Sequence, residues 1–422
     1  MNAKDLRIGF ISTRLAGTDG VSLETFKWVE ILREMGHECF FFAGECDQSE
    51  DCSMVVEEAH FRHPQVFELN LQLFERQRRT PATTRSIQEL RATLRQSLAE
   101  FVARFRIDMI IVENALSIPM NIPLGLALTE LIVEQDLCTI AHHHDFAWER
   151  QRFALHRADD YLAAAFPPPM EKILHVTINS YAARQLAHRT GMRSTVVPNV
   201  MNFERPPAQP DGYADDLREM LGLDDQDYLL LQPTRVVPRK CIEVSIQLAC
   251  WLDAPCSVLI PHGVGDEGVE YQDYLIRLAK TMGVPLLLAA DRFAAERGQT
   301  SSGEKIYALA DAYQQANLVT YPSAVEGFGN AFLEAIFYKK PLVMSGYEIF
   351  KTDIQPKGFD VVVFEGFIND LTLQRLQTVL LDDELVELMT ERNYELARRH
   401  YSYPQLRALL SDLVTRGIKR LY

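Results

Sequence analysis

Short continuous apolar blocks recur along this chain, separated by longer segments with helical spacing. The block Leu6–Ser12 runs into a loop, Leu15–Val21. A helical pattern then starts at Ser22, with Leu23, Phe26, Val29, Ile31 and Leu32 on one face, and stops near Met35-Gly36. Glu38–Ala43 follows as a second block, so the opening reads as a β-α-β unit whose Gly-containing turn lies at the helix start. Residues 65–106 are polar and helical, rich in Gln and Arg. Met109–Val112, Thr139–His142, Val176–Asn179 and Ser194–Val197 read as later strands. Phe203–Gly212 carries three prolines and reads as a linker, after which the alternation restarts. Strands are predicted at Tyr228–Pro233, Cys256–Ile260, Pro285–Ala290, Leu318–Tyr321, Leu342–Ser345 and Val361–Phe364. Uninterrupted apolar strands alternating with helices imply parallel sheets buried on both faces. The prediction is an α/β chain of two facing, doubly wound, Rossmann-like domains, 1–205 and 206–400. In such folds ligands bind beyond the carboxyl ends of the strands.

Composition narrows the class. The 422 residues are 47% hydrophobic, which suits a globular protein with a large core. No apolar run reaches the length of a membrane span, and MNAKDLRIGFIST enters a strand-like run directly, predicting no signal peptide. The seven cysteines are scattered without a CxxC pair, which predicts reduced thiols and a cytoplasmic setting. A net charge of −15 disfavours nucleic-acid partners and anionic membranes. Any anionic ligand therefore needs a local basic focus.

Two stretches in the second half supply candidate chemistry. Arg235 ends a predicted strand, Pro238-Arg239-Lys240 follows, and a helix is predicted over Cys241–Trp251. Two cations beside a helix N-terminus at the carboxyl edge of a sheet suit a diphosphate. The same spacing also fits a solvated basic turn. Further on, YPSAVEGFGNAFLEAIFYKKP places Glu326 in a loop, Gly327 and Gly329 around Phe328, and Glu334 about one turn inside a helix from Ala331 to Tyr338. The glycines allow backbone N–H groups to approach a ligand closely. The two acids can then meet one elongated ligand at different points. Alternatively Glu326 only caps the helix dipole and Glu334 faces solvent.

These residues resemble the E-x7-E signature of retaining glycosyltransferases of family 4, which have the GT-B fold. IYALADAYQQANLVTYPSAVEGFGNAFLEAIFYKKPLVMS, TRVVPRKCIE, VVPNVMNF and GTDGVSLETFKWVEILREMGHE all follow the family pattern, so the resemblance spans nearly the whole chain. It implies a nucleotide-sugar donor held mainly by the second domain. Arg235 and Lys240 would hold the diphosphate, Glu334 the ribose hydroxyls, and Glu326 with Gly327, Phe328, Gly329 and Asn330 the donor sugar and phosphate. Gly20 would approach the diphosphate from the first domain, or serve only as a turn residue. The resemblance also implies that the stretch 401–422 forms a helix returning to the first domain. The chain leaves the pattern at Phe337-Tyr338-Lys339-Lys340 and at Gly346–Phe350, where the usual Gly pair is missing. That loop is a candidate for setting donor identity.

AHHHDFAWERQR (141–152) raises a metal question. Adjacent side chains at a strand end point to opposite faces, so His142, His143 and His144 cannot all converge on one ion, and no metal is expected. The resemblance assigns one histidine here to the donor sugar near its reacting carbon. His144 matches best and His142 is the alternative by strand parity. Trp148, Arg150 and Arg152 follow, with His142, as candidates for a sugar or anionic acceptor; a solvated helix face is the plainer alternative. Asp225-Gln226-Asp227 has a D-x-D form but precedes a strand, at the amino edge, and reads as a turn.

The expected reaction is transfer of a hexosyl group, from UDP-glucose or GDP-mannose, to a small-molecule or carbohydrate acceptor. Retention, a front-face route, domain closure and independence from metals or other cofactors follow from the resemblance. A trehalose-type synthase using free glucose, a phosphorylase or epimerase on the same architecture, and a silent nucleotide-sugar binder are the competing classes. Nothing in the sequence reads the base, the acceptor or the oligomeric state.

Overall fold

The computed structural model describes residues 5–17, 19–224, 226–264 and 269–419. The chain divides into two compact units. One runs to Val200 and takes up the chain again from Pro404; the other spans Met201–Tyr403.

The first unit is built on a seven-stranded sheet. Its strands are β1 (Arg7–Ile11), β2 (Glu38–Ala43), β3 (Ser53–Val55), β4 (Met109–Glu113), β5 (Cys138–His143), β6 (Ile173–Thr177) and β7 (Ser194–Val196), in the order β3-β2-β1-β4-β5-β6-β7. Every pairing is parallel. The strands are buried because helices cover both faces. The helix Gly20–Glu34 starts at Asp19, whose carboxylate accepts from the amides of Val21 and Ser22 at 3.1 and 3.3 Å. The helix Pro81–Phe105 opens on a Thr80 cap with Pro81 in its first turn. It then buries Ile87, Leu90, Leu94, Leu98, Phe101 and Phe105, one stripe at helical spacing. The polar segment before it is broken at 76–80, so 65–106 is not one helix.

The C-terminal helix Tyr403–Ile418 completes this unit by burying Leu406, Leu410, Leu413, Val414 and Gly417. Arg416 donates to Thr195 Oγ1 at 2.8 Å. A Cβ at Gly417 would lie 2.5 Å from Met109 Cε and 2.8 Å from Cys138 Sγ. The helix therefore touches the sheet where only a glycine fits.

The second unit carries β8 (Tyr228–Leu231), β9 (Cys256–Ile260), β10 (Leu286–Leu288), β11 (Phe293–Ala294), β12 (Gly298–Gln299), β13 (Lys305–Ala308), β14 (Leu318–Tyr321), β15 (Leu342–Ser345) and β16 (Val362–Phe364). Six of these form a parallel sheet in the order β10-β9-β8-β14-β15-β16. The remaining three form a small separate sheet, β11-β13-β12. Its strands are short and only Tyr307 among their residues is buried, with no apolar block to announce them. The proline-rich stretch that reads as a linker is attached to this unit. Phe203 is buried against Tyr394, and its carbonyl accepts from the Tyr394 hydroxyl at 2.9 Å.

In each sheet the strand order reverses once, at β1/β4 and at β8/β14. Loops leaving the carboxyl ends of such strands diverge and open a crevice. Among the described residues no helix is long and apolar enough to cross a membrane.

Replacing Gly417 by Leu should lower the unfolding free energy by roughly 1–3 kcal/mol through overpacking against Met109 and Cys138. Chemical denaturation measures it, and an unchanged midpoint would contradict this docking of the C-terminal helix.

Candidate active site

The reversal in the second unit brings together the loops after β8 and β14. The β8 loop carries Arg235, a short turn Pro238–Lys240, and Cys241 in a left-handed conformation ahead of the helix Ile242–Trp251. The β14 loop carries Glu326 and the glycines. Lys240 Nζ donates to Glu326 Oε1, and Arg239 Nη1 lies 3.5 Å from the other carboxylate oxygen. The amide of Ala324 also donates to the Arg239 carbonyl at 3.0 Å, tying the two loops through the backbone.

Burial pushes the Lys240 pKa down, opposed by Glu326 and reinforced by Arg239 and Arg235. Burial alone would raise the Glu326 carboxyl, but Lys240 and then Arg239 hold it below its usual value. Glu326 is thus a carboxylate locked onto two cations. Arg235 is exposed and has no side-chain hydrogen bond or ion pair among the described residues. His262, in the loop after β9, is half-buried, and its pKa is lowered by burial first and then by Arg235 and Lys240.

The Gly-Phe-Gly turn shows why its glycine is needed. Gly329 sits at φ +119°, and a Cβ there would lie 2.5 Å from the Tyr347 hydroxyl. That hydroxyl donates to the Phe328 carbonyl at 2.7 Å. The backbone N–H groups of Phe328 and Gly329 donate to no protein acceptor among the described residues. They precede the helix Asn330–Phe337, whose dipole adds to the positive field. Unpaired amides, a helix N-terminus and nearby cations are the elements from which anion sites are commonly built. On the same helix Glu334 is partly exposed and accepts from the Tyr313 hydroxyl at 2.9 Å.

In the first unit the carboxyl ends of β4 and β5 hold a second cluster. Glu113 pairs in register with His142. Glu113 Oε2 lies 3.0 Å from His144 Nε2 and 2.9 Å from His142 Nδ1. All three side chains are almost wholly buried. Burial would raise the Glu113 carboxyl, yet the two imidazoles pull it down to about 2. Burial would lower His144, but Glu113 raises it, with Glu24 and Asp145 adding to the effect. His142 is lowered, burial outweighing Glu113. Glu113 therefore favours the charged form of His144, while burial favours the neutral form of His142. His143 points the other way, its Nε2 2.9 Å from His175 Nδ1.

No protein-family model matches the chain. It is 32% identical over an aligned length of 445 residues to the mannosylglucosylglycerate synthase of Thermotoga maritima, covering 96% of this chain and 99% of that protein. This chain belongs to the mannosylglucosylglycerate synthase family of glycosyltransferases. The Petrotoga mobilis mannosylglucosylglycerate synthase is 31% identical over 385 residues, 85% of this chain and 86% of the relative. A solved glycosyltransferase from Rickettsia africae superposes with a TM-score of 0.68 at 11% identity, covering 98% of this chain and 99% of that one. The two Rossmann-like units are those of a GT-B glycosyltransferase.

In this glycosyltransferase Arg235, Lys240, Glu326, Gly327, Phe328 and Gly329 all fall in the two loops at the β8/β14 reversal, and Asn330 opens the helix that follows. The Phe328 side chain itself is core, packed edge-on against Tyr401 at 5.1 Å, so only its backbone is available. Gly20 is the exposed first residue of its helix. The first-unit candidates divide. His142 is 1% exposed and stacked on Trp28 at 4.1 Å, so it offers no face to an acceptor. The Trp148 ring is stacked on Phe146 at 4.4 Å and covered by Arg189, so it is part of a small core rather than an open platform. Arg150 pairs with Asp145 at 2.5 Å, and Arg152 lies over the Phe153 ring. Asp227 closes a turn by accepting from the Asp224 amide at 3.0 Å; Asp225 lies outside the described residues.

Sequence reading passed over Glu113, Arg239 and His262. Glu113 ends an apolar strand, where a lone acid signals an edge but no partner. Arg239 stood in a basic turn of which only its neighbours were singled out. His262 lies two residues past the block Cys256–Ile260, a position the fold makes informative.

Gly329→Ala should cost about 1–3 kcal/mol, from the unfavourable φ and the clash with Tyr347. Equilibrium unfolding tests this; wild-type stability in the variant would mean the turn is not held as described.

Proposed function

We propose that this glycosyltransferase moves a hexosyl group from a nucleoside-diphosphate sugar, with retention at the anomeric carbon, to a hydroxyl of a small acidic sugar acceptor. The single supporting observation is the exposed Arg235 guanidinium, unpaired among the described residues, close to the buried Lys240–Glu326 pair in the same unit as the unpaired amides of the Gly-Phe-Gly turn. As the glycosidic bond breaks, negative charge grows on the departing diphosphate. Arg235, Lys240 and the helix end lie where fixed positive charge stabilises that build-up without reorganising. Glu326 keeps Lys240 charged and aimed despite its burial. Glu334 takes the ribose hydroxyls, and His144 touches the donor sugar. The relatives' name favours mannose as the transferred sugar and glucosylglycerate as the acceptor. GDP-mannose is then the donor to try first, with UDP-glucose second. Since protein cations supply the charge at the leaving group, no divalent ion is required in this scheme.

The test is an assay crossing GDP-mannose and UDP-glucose with glucosylglycerate, glycerate and glucose, with the product anomer read by NMR. Product from GDP-mannose and glucosylglycerate, with unchanged anomeric configuration, is expected; transfer to free glucose alone would favour the trehalose-type reading instead. Lys240→Ala should lower kcat by about 10²–10³-fold. Glu334→Ala should chiefly raise the donor KM. Unaltered transfer in both variants would sink the site assignment. EDTA should leave the rate unchanged, and loss of activity restored by magnesium would overturn the metal-free scheme.

A further inference from the structure

Glu113 and Asn114 together grip the segment that carries His144. The Asn114 amide donates to the His142 carbonyl at 3.0 Å. The Asn114 side-chain oxygen accepts from the amides of His144 and Asp145 at 2.8 and 3.4 Å. Asn114 reaches both because it adopts a left-handed conformation, φ +58°. Glu113 then takes the ring, with its Oε2 3.0 Å from His144 Nε2. Backbone and imidazole are thus fixed by consecutive residues at the end of β4. With Nε2 engaged, Nδ1 is the His144 nitrogen not held by a protein partner among the described residues.

A metal ion is the competing occupant, since donor atoms of Glu113, His142 and His144 lie within 4.8 Å of one another. The ring spacing argues against it. Two imidazoles sharing a tetrahedral ion at ~2.0–2.1 Å would hold their centroids about 5 Å apart. Here the His142 and His144 centroids are 4.2 Å apart, which is ring-on-ring contact.

We propose that Glu113 and Asn114 are positioning residues for the reaction. They turn the Nε2 edge of His144 inward and leave its Nδ1–H as the donor to the transferred sugar. This rests on the reading of His144 as a group that touches that sugar. The charged and titratable groups around the ring are Glu113 at the end of β4, Glu24 on the helix Gly20–Glu34, and His142, His143 and Asp145 on its own segment. The carboxylates favour the imidazolium and the histidines oppose it. Activity that needs a charged His144 falls as pH rises through its elevated pKa. Removing the Glu113 charge moves that fall to lower pH.

The experiment uses the full chain with four variants. Glu113→Gln should lower kcat about 10–100-fold, as loss of an orienting partner typically does, with the donor KM within about threefold. Its alkaline limb of kcat should shift to lower pH. Asn114→Gly keeps the left-handed backbone and should lower kcat in the same direction. His144→Ala should lose activity, and adding Glu113→Gln to it should cost nothing further. If His144→Ala transfers at the wild-type rate, the assignment of His144 fails. If His144→Ala is impaired while Glu113→Gln keeps the wild-type rate and pH profile, the Glu113 proposal alone fails. Should Glu113→Gln not fold, the wild type still decides. ¹⁵N-histidine NMR should show His144 protonated on both nitrogens at neutral pH. A neutral ring there, or a stoichiometric metal by elemental analysis, overturns the proposal.

Discussion

A parallel sheet covered by helices on both faces leaves no room for polar chemistry except at the ends of its strands. Both units of this chain obey that constraint. Their central strands are mostly apolar and buried, and the charged groups of both clusters stand where strands stop. Because the strand order reverses once in each sheet, two loops separate at that point and expose backbone amides, helix ends and side chains together. Glu113, at the end of β4, and the loops bearing Lys240 and Glu326, after β8 and β14, are all placed by this one rule.

The charged residues at those ends face opposite demands. Burial in low dielectric strengthens attraction but penalises each ion, so a buried charge persists only with a partner. Lys240–Glu326 and His144–Glu113 are two solutions of the same kind. In each, a carboxylate opposes the penalty that burial places on its partner's charged form. Arg235 differs, since it is exposed and unpaired among the described residues. The protein spends its carboxylates on the buried cations and leaves one at the surface unclaimed. On a chain of net charge −15, any anionic ligand would need such a local focus of positive charge.

The Gly-Phe-Gly turn joins these electrostatics to packing. Tyr347 fills the space above Gly329 and holds the Phe328 carbonyl, while Phe328 is anchored in the core. The turn is therefore held on both sides of its two unpaired amides. Tyr347 itself belongs to the loop after β15, so the support for the turn comes from a neighbouring strand's loop.

The sequence alone determined the α/β class and the two runs of strands, and it singled out two loops that the fold brings side by side at the β8/β14 reversal. It could do so because strand burial imposes unbroken apolar blocks and because special backbone angles demand glycine. It also separated His143 from its neighbours, since side chains alternate along a strand. It could not pair Glu113 with His144, because their contact is made across two strands and depends on the register Glu113↔His142. Nor could it tell that Trp148 and His142 are packed rather than open, because burial is a property of what comes to lie alongside. The small sheet β11-β13-β12 stayed hidden for a related reason: two-residue strands leave no periodicity to read. Local pattern is written in neighbouring residues; partners brought together from distant segments are decided only by the folded chain.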